Sequence, residues 1–226
     1  MIKAFIFDIG GTLVKTDDSV LNAIELALKE NGLELANKEK VISVLGTSMY
    51  MCVKTAVETS YSGQDIDKKI EHCYKSMKNI FPKKVISHFK IFQGVLKGLQ
   101  QLKNSGIKLA LFTGFDKDEL NFFLHELKLS EFFDVAVTID DVKKPRPCPE
   151  GLLLEIEELG VKKEECIYVG DTVADIQMAK NAKVNIVCVK TGAQNNELLE
   201  KEKPNYFVED ISEMIKLLSN KLLKWL

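Results

Sequence analysis

The sequence has little of what a disulfide framework, a metal cluster or a membrane span requires. There are five cysteines in 226 residues, Cys52, Cys73, Cys148, Cys166 and Cys188. They are scattered, odd in number and never spaced as CxxC, so they read as reduced thiols of a cytoplasmic protein. The three histidines, His72, His88 and His125, lie far apart and offer no His/Cys ligand set. No apolar run approaches the ~20 residues that span a bilayer. The opening MIKAFIFDIGGTLVKTD is interrupted by Asp8 and followed by Gly-Gly, and does not read as a signal peptide. Charge of one sign is missing too: 31 Lys and Arg against 33 Asp and Glu give a net charge of −2. That balance gives no electrostatic case for nucleic acid or a membrane surface. No internal repeat or low-complexity stretch occurs.

What is present is a globular composition, 46% hydrophobic and 28% charged, in a chain long enough to bury a core. Lys3–Ile9 reads as a buried strand ended by Gly10-Gly11. From Asp17 to about Phe81 the apolar spacing is helical, through DDSVLNAIELALKENG, Lys38–Leu45, Ser48–Ser60 and Asp65–Ile80, with no convincing strand. After Phe92 the pattern alternates. Strands are expected at Ile107–Phe112, Phe133–Thr138, Cys166–Val169 and Val184–Val189. Helices are expected at Val95–Asn104, Asp116–Lys128, Pro149–Leu159, Val173–Asn181 and Ile211 to about Leu222. This is an α/β pattern, a parallel sheet with helices on both faces. The first strand cannot bury itself alone, so it joins that sheet and the helical block becomes an insertion. The implied division is a core of residues 1–15 and 91–226 and a helical cap of residues 16–90.

Open α/β sheets bind ligands beyond the carboxyl ends of their strands. The residues that fall there carry chemistry. Asp8 and Gly10-Gly11-Thr12 end the first strand, and Thr113-Gly114 follows IKLALF. Gly170-Asp171-Thr172 and Asp175 follow CIYV, and Arg146 sits in the turn-rich KKPRPCPE. Carboxylates are hard ligands that suit Mg²⁺. Glycine-loop amides cradle an anion, a fixed cation offsets charge during group transfer, and a carboxylate such as Asp8 can attack phosphorus. Taken singly, each of these residues is as easily a turn, cap or surface residue.

The set FDIGGTLV (7–14), LFTG (111–114), FFDVAVTIDDV (132–142), PRPCPE (145–150) and YVGDTVADIQMAKNA (168–182) resembles the haloacid dehalogenase (HAD) superfamily, in its phosphoglycolate-phosphatase-like branch. The resemblance implies a Rossmann-like core with an inserted α-helical cap and Mg²⁺-dependent hydrolysis of a small phosphorylated metabolite. Under it Asp8 is the nucleophile that forms an aspartyl-phosphate. Gly10, Gly11, Thr113, Gly114 and Arg146 bind the substrate. Asp8, the Gly10 carbonyl, Asp171 and Asp175 hold the metal, Asp175 directly or through water. A cytoplasmic monomer or homodimer is expected, with no nucleic-acid or membrane partner.

Two departures matter. The family's second aspartate, which protonates the leaving oxygen and later activates water, is Gly10 here, and Arg146 stands where Lys is usual. Both features resemble the family's phosphonoacetaldehyde hydrolases, which cleave C–P after a cap lysine forms a Schiff base. Lys54 lies near where such a lysine is expected, although Val57 stands where a His should follow. A catalytically impaired binding protein of the same fold is a further reading. DIGGT also occurs in actin-like sugar kinases, but there a second strand follows the Gly-Gly turn, and here the chain turns helical. Asp116 is a substitute proton donor in one version of the site. His88 is placed near the cap hinge, Cys148 is read as a small filler near the site, and Trp225 as part of a docked terminal helix.

Overall fold

A computed structural model describes residues 1–16, 18–84 and 89–222. His88 and Trp225 lie outside the described residues. The chain opens with β1 (Ala4–Phe7) and a two-residue strand β2 (Val14–Lys15), then runs through α1 (Ser19–Glu30), α2 (Lys38–Ile42), α3 (Met49–Ser60) and α4 (Ile66–Lys84). It returns by β3 (Lys90–Ile91), which pairs antiparallel with β2. The four helices are thus inserted between two paired strands. The rest alternates: α5 (Val95–Asn104), β4 (Lys108–Phe112), α6 (Lys117–Glu126), β5 (Val135–Val137), α7 (Glu150–Leu159), β6 (Cys166–Gly170), α8 (Val173–Ala182), β7 (Asn185–Val189), α9 (Asn196–Lys201), β8 (Tyr206–Val208) and α10 (Ile211–Leu222).

Six strands form one parallel sheet in the order β5-β4-β1-β6-β7-β8. β1 is central, and its side chains alternate between two cores as a two-residue period requires. Phe5 and Phe7 pack on one face with Leu99 of α5, Phe123 of α6 and Met214 of α10. Ala4 and Ile6 pack on the other with Leu152 and Ile156 of α7 and Ile176 and Ala179 of α8. The first core continues into the insertion through Ile24, Leu28, Val53, Val57, Ile70 and Met77. Helices therefore cover both faces, as the burial of an all-parallel sheet demands.

The sequence reading missed β2, β3, α9 and β8. Two- and three-residue strands are too short to show alternation, and β8 is an edge strand only partly buried. No helix among the described residues is long and apolar enough to cross a membrane. All five cysteines are free thiols.

Candidate active site

The site forms at the carboxyl ends of β1, β4, β6 and β7. Asp8 follows β1 directly and is buried. Its Oδ1 accepts a hydrogen bond from Arg146 Nη1 at 2.6 Å. The same Nη1 donates to Asp175 Oδ1 at 2.6 Å and to the Tyr168 hydroxyl at 3.1 Å. Arg146 lies over the Phe112 ring, 5.3 Å from its centroid, which favours a delocalised cation. Burial pushes the Asp8 carboxyl up to about 7. Arg146 pulls it down and the Asp175 charge adds to the rise.

Asp171 follows β6. Thr12 Oγ1 donates to its Oδ1 at 2.8 Å. A Cβ on Gly11 would lie 2.2 Å from its Oδ2, and one on Gly192 would lie 1.9 Å away. Gly11 also has φ +83, a left-handed turn that favours glycine. The carboxylate thus sits in a cradle that any side chain would fill. Burial, and then the neighbouring Asp8 and Asp175 charges, raise its pKa well above the ordinary range.

Asp175 lies behind the cavity, held in a hydrogen-bond network. Its Oδ1 accepts from Arg146 and from the Tyr168 hydroxyl, and its Oδ2 accepts from the Thr172 hydroxyl and the Thr172 and Asp171 amides. With Thr172 as N-cap it forms the capping box that opens α8. Both oxygens are occupied and the residue does not line the cavity. Its place is to hold Arg146 and the Asp171 loop, behind the position of a direct ligand.

A cavity of about 110 Å³ opens beside these groups. Asp8, Gly10, Gly11, Thr113, Gly114, Arg146 and Asp171 form its core side. Thr113 Oγ1 accepts from the Phe115 amide at 3.1 Å, which fixes the turn after β4. From the insertion, the loop Gly46-Thr47-Ser48 closes onto the core. Gly46 (φ +86) comes so near that a Cβ would lie 2.3 Å from Thr172 Oγ1, and a Cβ on Gly114 would lie 3.0 Å from the Thr47 carbonyl oxygen. Gln194 ties the two parts together. Its Nε2 donates to the Ile42 carbonyl at 3.0 Å and its Oε1 accepts from the Val173 amide at 2.8 Å.

Lys54 is not brought to the cavity. It lies on α3, 3.8 Å from Glu58 one turn on, with a side chain 39% exposed, while Met49 and Cys52 of the same helix line the space. Cys148 is half-buried and also off the cavity lining. Asp116 caps α6 by accepting from the Glu119 amide, and its other oxygen pairs with Lys78 of α4 at 2.6 Å. It latches the insertion to the core and does not line the cavity. Sequence reasoning missed the positioning roles of Thr12 and Tyr168, the closing loop, and Thr191-Gly192. Thr191 and Gly192 follow β7, so the strand-end rule that found Asp8 would have found them.

Among the described residues, no group of three or more His, Cys, Asp and Glu is arranged to hold a metal ion. Asp8, Asp171 and the Gly10 carbonyl are nonetheless hard oxygen donors, and Mg²⁺ is held by one or two carboxylates while keeping several waters. Two buried carboxylates with raised pKa values are what a divalent cation relieves. The donor set fits the metal.

Residues 5–189 match the family of haloacid dehalogenase-like hydrolases, and the chain belongs to it. It is a hydrolase with that family's fold. Among relatives it is 29% identical over 220 residues to the pyrophosphatase PpaX of Bacillus mycoides, covering 96% of this chain and 97% of that one. Among solved structures it is similar to a predicted phosphoglycolate phosphatase from Haemophilus somnus, with TM-score 0.83, 20% identity and coverage of 96% and 97%. It is also similar to a haloacid dehalogenase-like hydrolase from Streptococcus pneumoniae, with TM-score 0.78, 20% identity and coverage of 96% and 98%.

Proposed function

We propose that this chain is a Mg²⁺-dependent phosphatase that passes the phosphoryl group of a small phosphorylated metabolite through Asp8. The observation that carries the reading is the buried Asp8 carboxylate at the cavity floor, paired with Arg146 Nη1 at 2.6 Å and set beside Asp171. The names of its relatives, a pyrophosphatase and a phosphoglycolate phosphatase, point the same way.

In this reading an Asp8 oxygen bonds to phosphorus, and the bond to the leaving oxygen breaks with its electron pair. Water then attacks the aspartyl-phosphate, which releases inorganic phosphate and restores the carboxylate. Arg146 favours the ionised, nucleophilic Asp8. The Thr113 hydroxyl and the Gly114 amide hold phosphoryl oxygens. Asp8, Asp171 and the Gly10 carbonyl would hold Mg²⁺, which supplies positive charge against the transferring phosphoryl group. Asp175 supports them through Arg146 and the Asp171 loop. Residues 16–90 act as a cap that shields the reaction from water. Gly10 offers no proton, so leaving groups of low pKa are favoured.

The test is phosphate release from p-nitrophenyl phosphate and acetyl phosphate, with Asp8→Asn as the control. The expected result is Asp8-dependent release and a phosphoryl adduct on the Asp8 peptide after acid quench. Wild-type turnover in Asp8→Asn overturns the reading. No observation favours the Schiff-base alternative, because Lys54 lies off the cavity and beside Glu58.

A further inference from the structure

The lining of the cavity is chemically mixed. Beside the charged residues it carries an apolar wall of Leu45, Met49, Cys52, Phe81, Phe89 and Phe115. The three rings pack on one another, Phe81 edge-on to Phe115 at 5.4 Å and Phe89 stacked on Phe115 at 6.5 Å between centroids. Burial pushes the Cys52 thiol up to about 12, so it stays neutral. Two hydroxyls also line the space: Thr47 Oγ1 donates to the Val44 carbonyl at 2.7 Å, and Ser48 Oγ accepts from the Met51 amide at 3.2 Å, so Ser48 keeps an O–H donor, which is neutral and does not offset a charge. Among the described residues that line the cavity, Arg146 is the one cation, and its Nη1 is shared by two aspartates.

A phosphoryl group on Asp8 leaves the rest of its substrate facing this wall. A carboxylate or a second phosphate there would give up its water and find, among the described lining residues, no cation beyond the already shared Arg146, and such a desolvated charge is strongly disfavoured. A hydrocarbon or aryl group would lose nothing and would displace water from apolar side chains. We propose that the wall selects a monophosphate whose leaving group is small, apolar and uncharged. It disfavours substrates with a second anionic group, including pyrophosphate and phosphoglycolate, the substrates that the relatives' names suggest. The proposal rests on the reading of Asp8 as the phosphoryl acceptor. It is compatible with Gly10, because the leaving oxygen stays at the polar floor while its carbon skeleton meets the wall.

The experiment compares kcat/KM for phenyl phosphate, phosphoglycolate and pyrophosphate at one Mg²⁺ concentration, in wild type, Asp8→Asn, Met49→Lys and Leu45→Lys. Circular dichroism confirms that each variant is folded. The expected result is that phenyl phosphate exceeds both anionic substrates by about 10²-fold or more in the wild type. A lysine at position 49 or 45 should narrow that ratio at least ~10-fold, by supplying the missing cation. Asp8-dependent release that is as fast or faster from pyrophosphate or phosphoglycolate overturns the wall and leaves the reading of Asp8 intact. A ratio that neither folded lysine variant moves also overturns the wall. Release from none of the three overturns both.

Discussion

Gly10→Asp is the substitution that most sharply separates positioning from proton transfer in this site. Gly10 lines the cavity two residues beyond Asp8, and its φ lies outside the left-handed region, so a side chain imposes no backbone strain. An ideal Cβ there meets one neighbour within 4 Å among the described residues, the Thr16 methyl at 3.1 Å. A few tenths of an ångström of movement at the end of one side chain admits it. General acid–base catalysis is worth ~10²–10⁴ in rate, or about 2.7–5.4 kcal/mol of barrier. That gain is available only where the leaving oxygen needs a proton. Turnover of alkyl phosphates should therefore rise by about 10², while p-nitrophenyl phosphate, whose leaving group departs as a stable anion, changes by less than ~10-fold. The assay is steady-state phosphate release across a series of leaving groups of rising pKa, and the slope against pKa should flatten in the variant. Gly10→Asp/Thr16→Ser removes the crowding methyl, so steric failure is separable from failed chemistry. An unchanged slope in the folded double variant, with Asp8-dependent turnover retained, refutes the reasoning.

Five other substitutions, at Arg146, Glu155, Lys78 and Asp116, test the supporting structure. Arg146→Lys keeps a charge between Asp8 and Asp175 but loses the stacking on Phe112, and kcat should fall by no more than ~10-fold. Arg146→Met strands two buried carboxylates and should cost about 3–5 kcal/mol of stability together with most activity; denaturant melts and turnover check both. Glu155 on α7 is fully buried, and among the described residues neither carboxylate oxygen has a hydrogen bond of good geometry, the Val137 backbone being a weak polar neighbour. Burial holds its pKa well above the ordinary value of 4.5, against the pull of Arg146. A raised folded-state pKa means that its contribution to stability is complete below about 4.5 and lost as pH rises toward the folded value. Glu155→Met should therefore raise Tm by several degrees, about 1–3 kcal/mol, and by more at pH 8 than at pH 5; a pH-independent or negative change refutes this. The Lys78–Asp116 pair is half-exposed on the lysine side, so Lys78→Met should cost under about 1 kcal/mol yet raise KM as the latch loosens. Asp116→Asn should leave kcat within a few-fold, and a 100-fold fall would return Asp116 to the role of proton donor.

Much of the site could be read before the structure because it obeys one rule. A parallel strand delivers the residue after its last position to the same edge as its neighbours, so Asp8, Thr113 and Asp171 converge from stretches of sequence about 60–100 residues apart. Two of the expected site residues, Asp175 and Lys54, lie off the cavity for local reasons. In GDTVAD the pair Thr172 and Asp175 is also a capping box, and that pairing turns Asp175 inward, leaving Asp171 alone to face the cavity. On α3 the buried positions are Cys52, Val53, Thr55, Ala56 and Val57, and Lys54 lies on the remaining exposed face with Glu58 one turn on. The Lys78–Asp116 latch, the Gly46 loop and the apolar wall join segments that no periodicity relates, and they required the tertiary structure.

Charge balance at the floor leads to the last prediction. Asp8, Asp171 and Asp175 are buried around Arg146, and a phosphoryl substrate brings further negative charge. Asp8 is pushed up to about 7 and Asp171 well above its ordinary range, burial leading in each case. In the absence of metal, then, protons occupy part of this site at neutral pH. A divalent cation must displace them, so Mg²⁺ should bind with proton release. The release is read as a dependence of the calorimetric enthalpy on the buffer's ionisation enthalpy, and it should be larger at pH 6.5 than at pH 9. The stability consequence has the opposite pH trend. Carboxyls with raised pKa values lose their contribution as pH rises through the folded value, so added Mg²⁺ should raise Tm most on the alkaline side, by an amount that grows with the logarithm of its concentration. Chelation should reverse the shift. Asp171→Asn removes one ligand and one repulsive charge together, and should abolish the Mg²⁺-dependent shift while leaving the metal-free protein no less stable. Mg²⁺ that binds without releasing protons, or that stabilises Asp171→Asn as much as the wild type, would mean that the two carboxylates are not its ligands.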